Sequence, residues 1–444
     1  MKSFSTHLIF GLSVLVLLTL IVDVSAKRLL MEYEFSPCGP LERLAGLVNE
    51  PRSSLFCKHK EHTPSLGELS GDYVYREFHE GLAMVGVKNK DRWRYGFINK
   101  KGQIVIRPRF DFAADFRDGL AKVGLTLKNG ELRFGYINHA GKYVIAPEYL
   151  FIDEFSEGLT VAGISNRLPG VRGLKYGFLN RKGRWVIPTV YNYAQSFSEN
   201  RAVIGIFSKE GDLKFGYIDR KRRLVVKPSY DRAFHFINGL ALVGVKTAKV
   251  EKFDVGYFGF INLKGNLVIK PVFECVSGFM EGLAIFRSAN RKFGYINTKG
   301  KVIISPVFEN AGLFENGLAL VSVKKNGVEK FGLINRKGQF IIEPQFDRIM
   351  DFSEGLAGVE LSGRFGFINR KGEIVIKPRY EEVENFREGL ALVRLKGKYG
   401  YIARRGRMTI PLIFECAASF SEGLAYVSNG KQAGYIDKTG KFKF

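Results

Sequence analysis

Ten times in 444 residues the chain returns to a glycine that carries an aromatic residue or leucine after it and then Ile or Leu. The glycines are Gly96, Gly135, Gly177, Gly216, Gly259, Gly294, Gly332, Gly366, Gly400 and Gly434, spaced 43 down to 34 residues apart. A repeat of this period marks an array of small supersecondary units, and it constrains the fold more than any other feature. The first copy reads "YGFINKKGQIVIRPRF", Tyr95 to Phe110.

The residue types around each anchor state their own conformations. An aromatic residue precedes the glycine in nine copies, with Ala433 in the last. Asn or Asp follows three residues after the anchor in nine copies, and Gly six after it in nine, with Arg222 as the exception. Asn at the start of "N-K-K-G" bonds its own backbone and Gly at its end takes positive φ, which predicts a type I turn closed by a glycine bulge. The next segment, such as Ile104-Val105-Ile106, is continuously apolar, which predicts a strand buried on both faces. A proline follows in nine copies, among them Pro108, Pro228 and Pro378, and is expected to end that strand. A Phe preceded by a small residue three positions earlier comes next, as in Ala113 with Phe116. "S-E-G" then makes another turn into "L-A-x-V". Each unit thus holds three strands and a short fourth. One unit alone cannot bury its central strand, whereas ten stacked units can, each covering the last.

The combination of aromatic-Gly, I-N/D-x-x-G, V-I-x-P and F-S-E-G-L-A in that order resembles the WG (KWG) repeat over residues 72–444. Tyr or Phe stands where that repeat has its Trp, and Trp93 and Trp185 fall elsewhere in the pattern. The resemblance implies binding or scaffolding rather than a reaction. The expected fold is all-β, with ten antiparallel units stacked as an open superhelix because unit length varies and no linker interrupts the copies. A closed β-propeller is the alternative.

The flanking segments read differently. Lys2, the apolar run Leu8–Val22 and the small residues before Lys27 make residues 1–26 a secretory signal, with an uncleaved anchor as the alternative. Residues 27–71 are expected to form a cap on the first unit, stapled by a Cys38–Cys57 disulfide. Cys57, His59 and His62 with Cys38 match no standard zinc spacing, so no metal site is expected. Cys275 and Cys416 occupy one slot, sixteen after their anchors, and are expected as solvent-facing free thiols.

Two loop edges offer candidate sites. The "N-K-K-G" turns carry Lys100, Lys101, Arg181, Lys182, Arg220, Lys221, Arg336, Lys337, Arg370, Lys371, Arg404 and Arg405, with Lys264, Lys299 and Lys438 in the other copies. On a chain of net charge +24 this basic row suits an acidic glycan, an envelope polymer or an anionic lipid, with nucleic acid disfavoured in an exported protein. The opposite edge holds all the length variation, at 165–175 and 246–257, and suits a protein partner. The expected function is an exported non-enzymatic binding scaffold, through that variable edge or, alternatively, through the basic row. No nucleophile elbow, metalloprotease or P-loop motif is present, and no cofactor is expected. His79, His139 and His235 sit singly in separate units.

If residues 1–26 are cleaved, the mature protein from a secreting host begins at Lys27 by intact mass. A mass that retains them identifies a membrane tether instead.

Overall fold

The computed structural model describes residues 73–89, 92–165, 173–246 and 256–444, and everything described is strand, turn or connecting loop. The strands form ten separate antiparallel sheets in sequence order. Blade 1 is β1 (Tyr73–His79), β2 (Leu82–Asn89), β3 (Arg92–Asn99) and β4 (Ile104–Phe110), hydrogen-bonded in that order. Blades 2 to 10 follow this meander and begin at Phe112, Phe151, Tyr193, Arg232, Cys275, Asn310, Arg348, Glu382 and Cys416; blades 6 and 10 have three strands, the first of blade 6 and the fourth of blade 10 being reduced to isolated bridges. The first strand is usually only two residues long plus one bridge, as at Phe112–Ala113 and Arg117.

Local chemistry explains each turn. Asn99 Oδ1 accepts from the N–H of Lys101 and of Gln103 at 3.0 Å, and Gly102 has φ +75°, so the expected type I turn with a glycine bulge is present. Arg222 takes the same left-handed position at φ +63° where the other copies use glycine. The turn between the first two strands is the mirror-image kind, with positive φ at both central residues, as at Glu80 (51°) and Gly81 (79°).

Three expectations are corrected. The "I-V-I" segment is the fourth strand, at the sheet edge, and it alternates: Ile106 is buried while Val105 is 42% exposed. The strand buried on both faces is the second, "L-A-x-V", whose Ala121, Lys122 and Val123 are all covered. Proline does not end the fourth strand, because Pro108 lies within Ile104–Phe110 and an edge strand tolerates a missing donor. The anchor glycine also acquires a reason. A Cβ on Gly400 would fall 2.7 Å from the carbonyl oxygen of Ile410, and the other anchors are at least as crowded by their fourth strand.

Blades stack through one aromatic contact. Where the residue after the anchor is aromatic, it packs on the Phe of the next blade's first strand, edge to face or tilted: Phe97 on Phe116 at 4.8 Å, Phe178 on Phe197 at 4.9 Å, Tyr401 on Phe420 at 4.9 Å. Where that residue is Tyr, its hydroxyl donates to a carbonyl of the same neighbour, as Tyr217 does to Phe234 at 2.8 Å.

The third and largest correction is that the array is not open. Tyr435 of blade 10 packs on Phe78 of blade 1 at 5.0 Å and 62°, and its hydroxyl donates to the carbonyl of Arg76 at 2.5 Å. Ser421 Oγ donates to the Phe78 carbonyl at 2.7 Å, as Ser353 does to Phe386 within the array. Phe78, Ala83, Val85 and Ile98 share one core cluster with Leu424, Ala433 and Tyr435. The interface between the ends therefore has the geometry of every internal one, and the ten blades close into a propeller. Each blade is built from a continuous stretch of chain, and no strand is exchanged between blades 1 and 10. The residues expected to cap the array, 27–71, lie outside the described residues.

The first strands face the axis. Arg387 of blade 9 pairs with Glu77 of blade 1 at 2.9 Å, past blade 10, which is possible only where blades converge.

Closure makes a quantitative expectation. Truncating a buried Phe costs about 3–5 kcal/mol. Phe78→Ala and Phe116→Ala should destabilise equally in chemical denaturation. A small cost at Phe78 beside a large one at Phe116 would return the open array.

Candidate functional site

The turn after the first strand and the turn after the third lie on the same face of the disc, because the meander alternates direction. The acidic turns sit nearer the axis. Their carboxylates reach one blade onward: the N–H of Gly119 donates to Glu80 at 3.0 Å, that of Gly239 to Glu199 at 2.9 Å, and that of Gly423 to Glu388 at 3.0 Å. Across the closure, the N–H of Gly81 donates to Glu422 at 3.0 Å.

The basic turns lie outside them, and their two middle positions have separate fates. The first cation reaches back to the acidic turn of the preceding blade. Lys100 pairs with Glu422 at 2.8 Å, Arg181 with Asp118 at 3.2 Å, Arg220 with Glu157 at 3.6 Å and Lys438 with Glu388 at 3.0 Å. Arg404 donates to the carbonyl of Glu354, whereas Arg370 lies over the ring of Phe352 of its own blade at 5.1 Å. His139 fills the slot in blade 2 and lies 3.1 Å from Glu80. Apart from Arg370, these groups clamp one blade to the next. Arg336 takes the same direction, its guanidinium lying against Gly282.

The second position is different. Lys101, Lys182, Lys221, Lys264, Lys299, Lys337, Lys371 and Arg405 are exposed and make no ion pair among the described residues. Eight of ten blades thus carry an unpaired cation at one height on one face; Ala140 and Thr439 leave the gaps in blades 2 and 10. The row expected from sequence is a ring, and half of its twelve residues are structural. The signal that separates the halves is position within the turn, since only the first slot has an acidic turn within reach.

The opposite edge carries the variable loops, as expected, but 166–172 and 247–255 lie outside the described residues. Cys416 starts the first strand of blade 10 on this edge, and Cys275 holds the equivalent place in blade 6, just before the Val276 bridge. Cys275 is 1% exposed rather than solvent-facing, Cys416 is half-buried, and both cysteines are disulfide-bonded rather than free. The expected Cys38–Cys57 bond lies outside the described residues.

The axial wall is polar, which the sequence did not reveal because its two slots, eighteen and nineteen after the anchor, hold different residue types from copy to copy. Ser196 Oγ donates to Asp153 at 2.6 Å, and Ser419 Oγ donates to Glu384 in the same inter-blade arrangement. Lys122, buried, donates to the Ile152 carbonyl at 3.0 Å; burial lowers its pKa, and Asp153 and Glu154 oppose this. Burial likewise lowers His235, against Asp153. Glu384 is pushed up to about 7 by burial and by Glu77 and Glu382, against Ser419 and Arg387. Its Oε1 has no hydrogen-bond partner. Among the described residues no group of three or more His, Cys, Asp or Glu could hold a metal ion, and no helix is long and apolar enough to cross a membrane.

The comparison with known families identifies the repeat. The WG containing repeat family matches nine segments: 95–125, 134–166, 176–206, 215–246, 258–291, 293–327, 331–364, 365–399 and 399–432. This chain is a WG repeat protein. No curated protein matches it. Among solved structures it is similar to the β-propeller domain of the Trilobed protease from Pyrococcus furiosus, at 11% identity over 58% of this chain and 92% of that one, with a TM-score of 0.32. The Pyrococcus horikoshii acylaminoacyl peptidase shares 11% identity over 65% of this chain and 57% of that one, with a TM-score of 0.31. Citrobacter koseri AztD shares 10% over 83% and 92%, with a TM-score of 0.28. Likeness at this level carries no argument about what the WG repeat protein does.

The Glu384 carboxyl has a definite pH signature. Its folded value lies above its ordinary one of 4.5, so the folded state holds this proton more tightly. That contribution is present below about pH 4.5 and lost as pH rises through 7, a penalty of about 3 kcal/mol at pH 8. Glu384→Gln should remove the penalty and stabilise the protein at pH 8 but not at pH 4. Parallel denaturation curves of variant and parent at the two pH values check this. Equal effects at both would remove the titration from the account.

Proposed function

We propose that this WG repeat protein is a non-enzymatic binding scaffold whose turn face engages a linear polyanion. The observation that carries the reading is the ring of eight unpaired cations. Each holds the second middle position of the turn between the third and fourth strands, and in blades 1, 3 and 4 the cation beside it has already paired with a nearby carboxylate. Such a ring presents regularly spaced positive charge to a polymer that follows the rim, with an affinity that falls as salt rises. The signal at residues 1–26 supports an exported setting, in which an acidic glycan, an envelope polymer or an anionic lipid surface is the polyanion available. A protein partner at the opposite edge is the reading that the variable loops favour in the sequence.

Heparin serves as the probe polymer. Reversing Lys337, Lys371 and Arg405 to Glu should lower its affinity at least tenfold at physiological salt and flatten the dependence of log K on log salt by about one unit per lost contact. Reversing the clamping Arg181 and Arg220 should instead lower stability. Unchanged heparin binding in the triple variant would reject the turn face and leave the loop edge as the binding surface.

A further inference from the structure

Where the fourth strand of blade 1 meets the basic turn of blade 2, the rim holds a cavity of about 580 Å³. Small-molecule sites occupy about 300–1,000 Å³. Arg107 and Arg109 line the cavity from blade 1, and Ala140, Lys142 and Tyr143 from blade 2; none of its lining residues is acidic. Arg109 is fixed in place. Its guanidinium donates to the Gly141 carbonyl at 2.7 Å and lies over the Phe110 ring at 4.9 Å. Tyr143 stands edge-on to the same Phe110 at 6.2 Å and 77°, with the Arg109 guanidinium 5.8 Å from its ring, and is still 43% exposed. Lys142 is exposed and makes no ion pair among the described residues.

The turn of one blade rests on the fourth strand before it throughout the ring, as Gly141 does on Ile106 and Gly406 on Ile376, so a groove of this shape recurs. Its side chains do not. In the groove of blades 2 and 3, Trp185 supplies the aromatic ring, but Ala146 and Glu148 stand in place of the two arginines. In that of blades 8 and 9, Lys377 and Arg379 keep the two cations, and Arg379 again lies over its neighbouring ring, Tyr380, at 5.0 Å. There Met408 replaces the aromatic platform, and Arg405 stands where Ala140 leaves space. Among the described residues, the groove of blades 1 and 2 alone joins an exposed aromatic ring to both fourth-strand cations.

We infer that this groove binds a carboxylate carried on a single ring. The ligand's ring lies on the exposed face of Tyr143, and Arg107, Arg109 and Lys142 surround its carboxylate. Aromatic faces take another ring in offset stacking. A planar guanidinium meets the two oxygens of a carboxylate as a fork. Arg109 is already ordered by Gly141 and Phe110, which lowers the cost of binding. The groove lies where Ala140 interrupts the cation ring, so the inference stands apart from the polyanion reading of the turn face. A sugar acid and an aromatic acid share this chemistry, and the test separates the two.

The test is calorimetric titration of the full chain with galacturonic acid and with benzoate, using galactose and benzamide as their uncharged counterparts. Two variants report on the groove. Tyr143→Met installs the residue that blade 9 carries as Met408, and Lys142→Glu the one that blade 8 carries as Glu373, so each places in blade 2 a residue that the same slot already holds elsewhere in the ring. An unchanged denaturation midpoint confirms that both variants fold. The expected result is that at least one acid binds, that its uncharged counterpart does not, and that each substitution weakens the acid about tenfold or more. Tighter binding of galacturonic acid assigns a sugar acid, and tighter binding of benzoate an aromatic acid. The inference is overturned if neither acid binds at about 10 mM, if the uncharged counterparts bind as tightly, or if both folded variants retain full affinity.

Discussion

Everything in this molecule depends on the contact between the residue after each anchor glycine, aromatic in every blade but the seventh, where it is Leu333, and the Phe of the next blade's first strand. An edge-to-face pair is worth about 0.5–1.5 kcal/mol beyond the area it buries. Its geometric effect is larger. Ring distances from 4.4 Å of surface stacking aside, the inter-blade pairs such as Phe97 with Phe116, Tyr217 with Phe236 and Tyr435 with Phe78 hold near 5 Å and 60°. A repeated pair of fixed angle sets a fixed rotation from one blade to the next. The anchor glycine serves the same contact, because only a residue without a side chain lets the fourth strand cross close behind the aromatic ring.

Electrostatics on the turn face follows from that rotation. Neighbouring turns are brought close enough for a carboxylate to cap the next blade's N–H and for the first basic residue to pair with the previous blade's acid. Exposed ion pairs of this kind add little stability individually. Their effect here is to neutralise the inner part of the face and leave the outer cations unopposed. The separation of charge is radial, although the sequence places both charge types in every repeat.

Much of this was legible in the residues. The turns, the strand order within a unit, the opposite placement of variable loops and the all-β class follow from Asn, Gly and the apolar pattern, because those are local properties. Closure was not legible, since the rotation per blade is a property of two blades in contact and no single repeat spells it. The burial of "I-V-I" was misjudged for a related reason. Three apolar residues in a row read as a core strand, yet Val105 faces outward at the rim. The basic residues were found but not sorted, because Lys100 and Lys101 differ only in what the neighbouring blade offers them. The axial carboxylates, Asp153 and Glu384, were invisible because they share one slot, eighteen after the anchor, that the other copies fill with Ala114, Gln195, Phe234, Ser277, Gly312, Met350 and Ala418.

Among the described residues each blade is a continuous segment of chain, and blade 10 meets blade 1 through the same packing and hydrogen bonds as any other pair. The described ring therefore has no privileged seam. A gene encoding such a protein could lose or gain one whole unit by unequal recombination without rewiring any sheet, and its new ends would meet with the same surfaces as before. Ring size in such a lineage would then be limited only by how much bending ten, nine or eleven copies of one aromatic hinge can share.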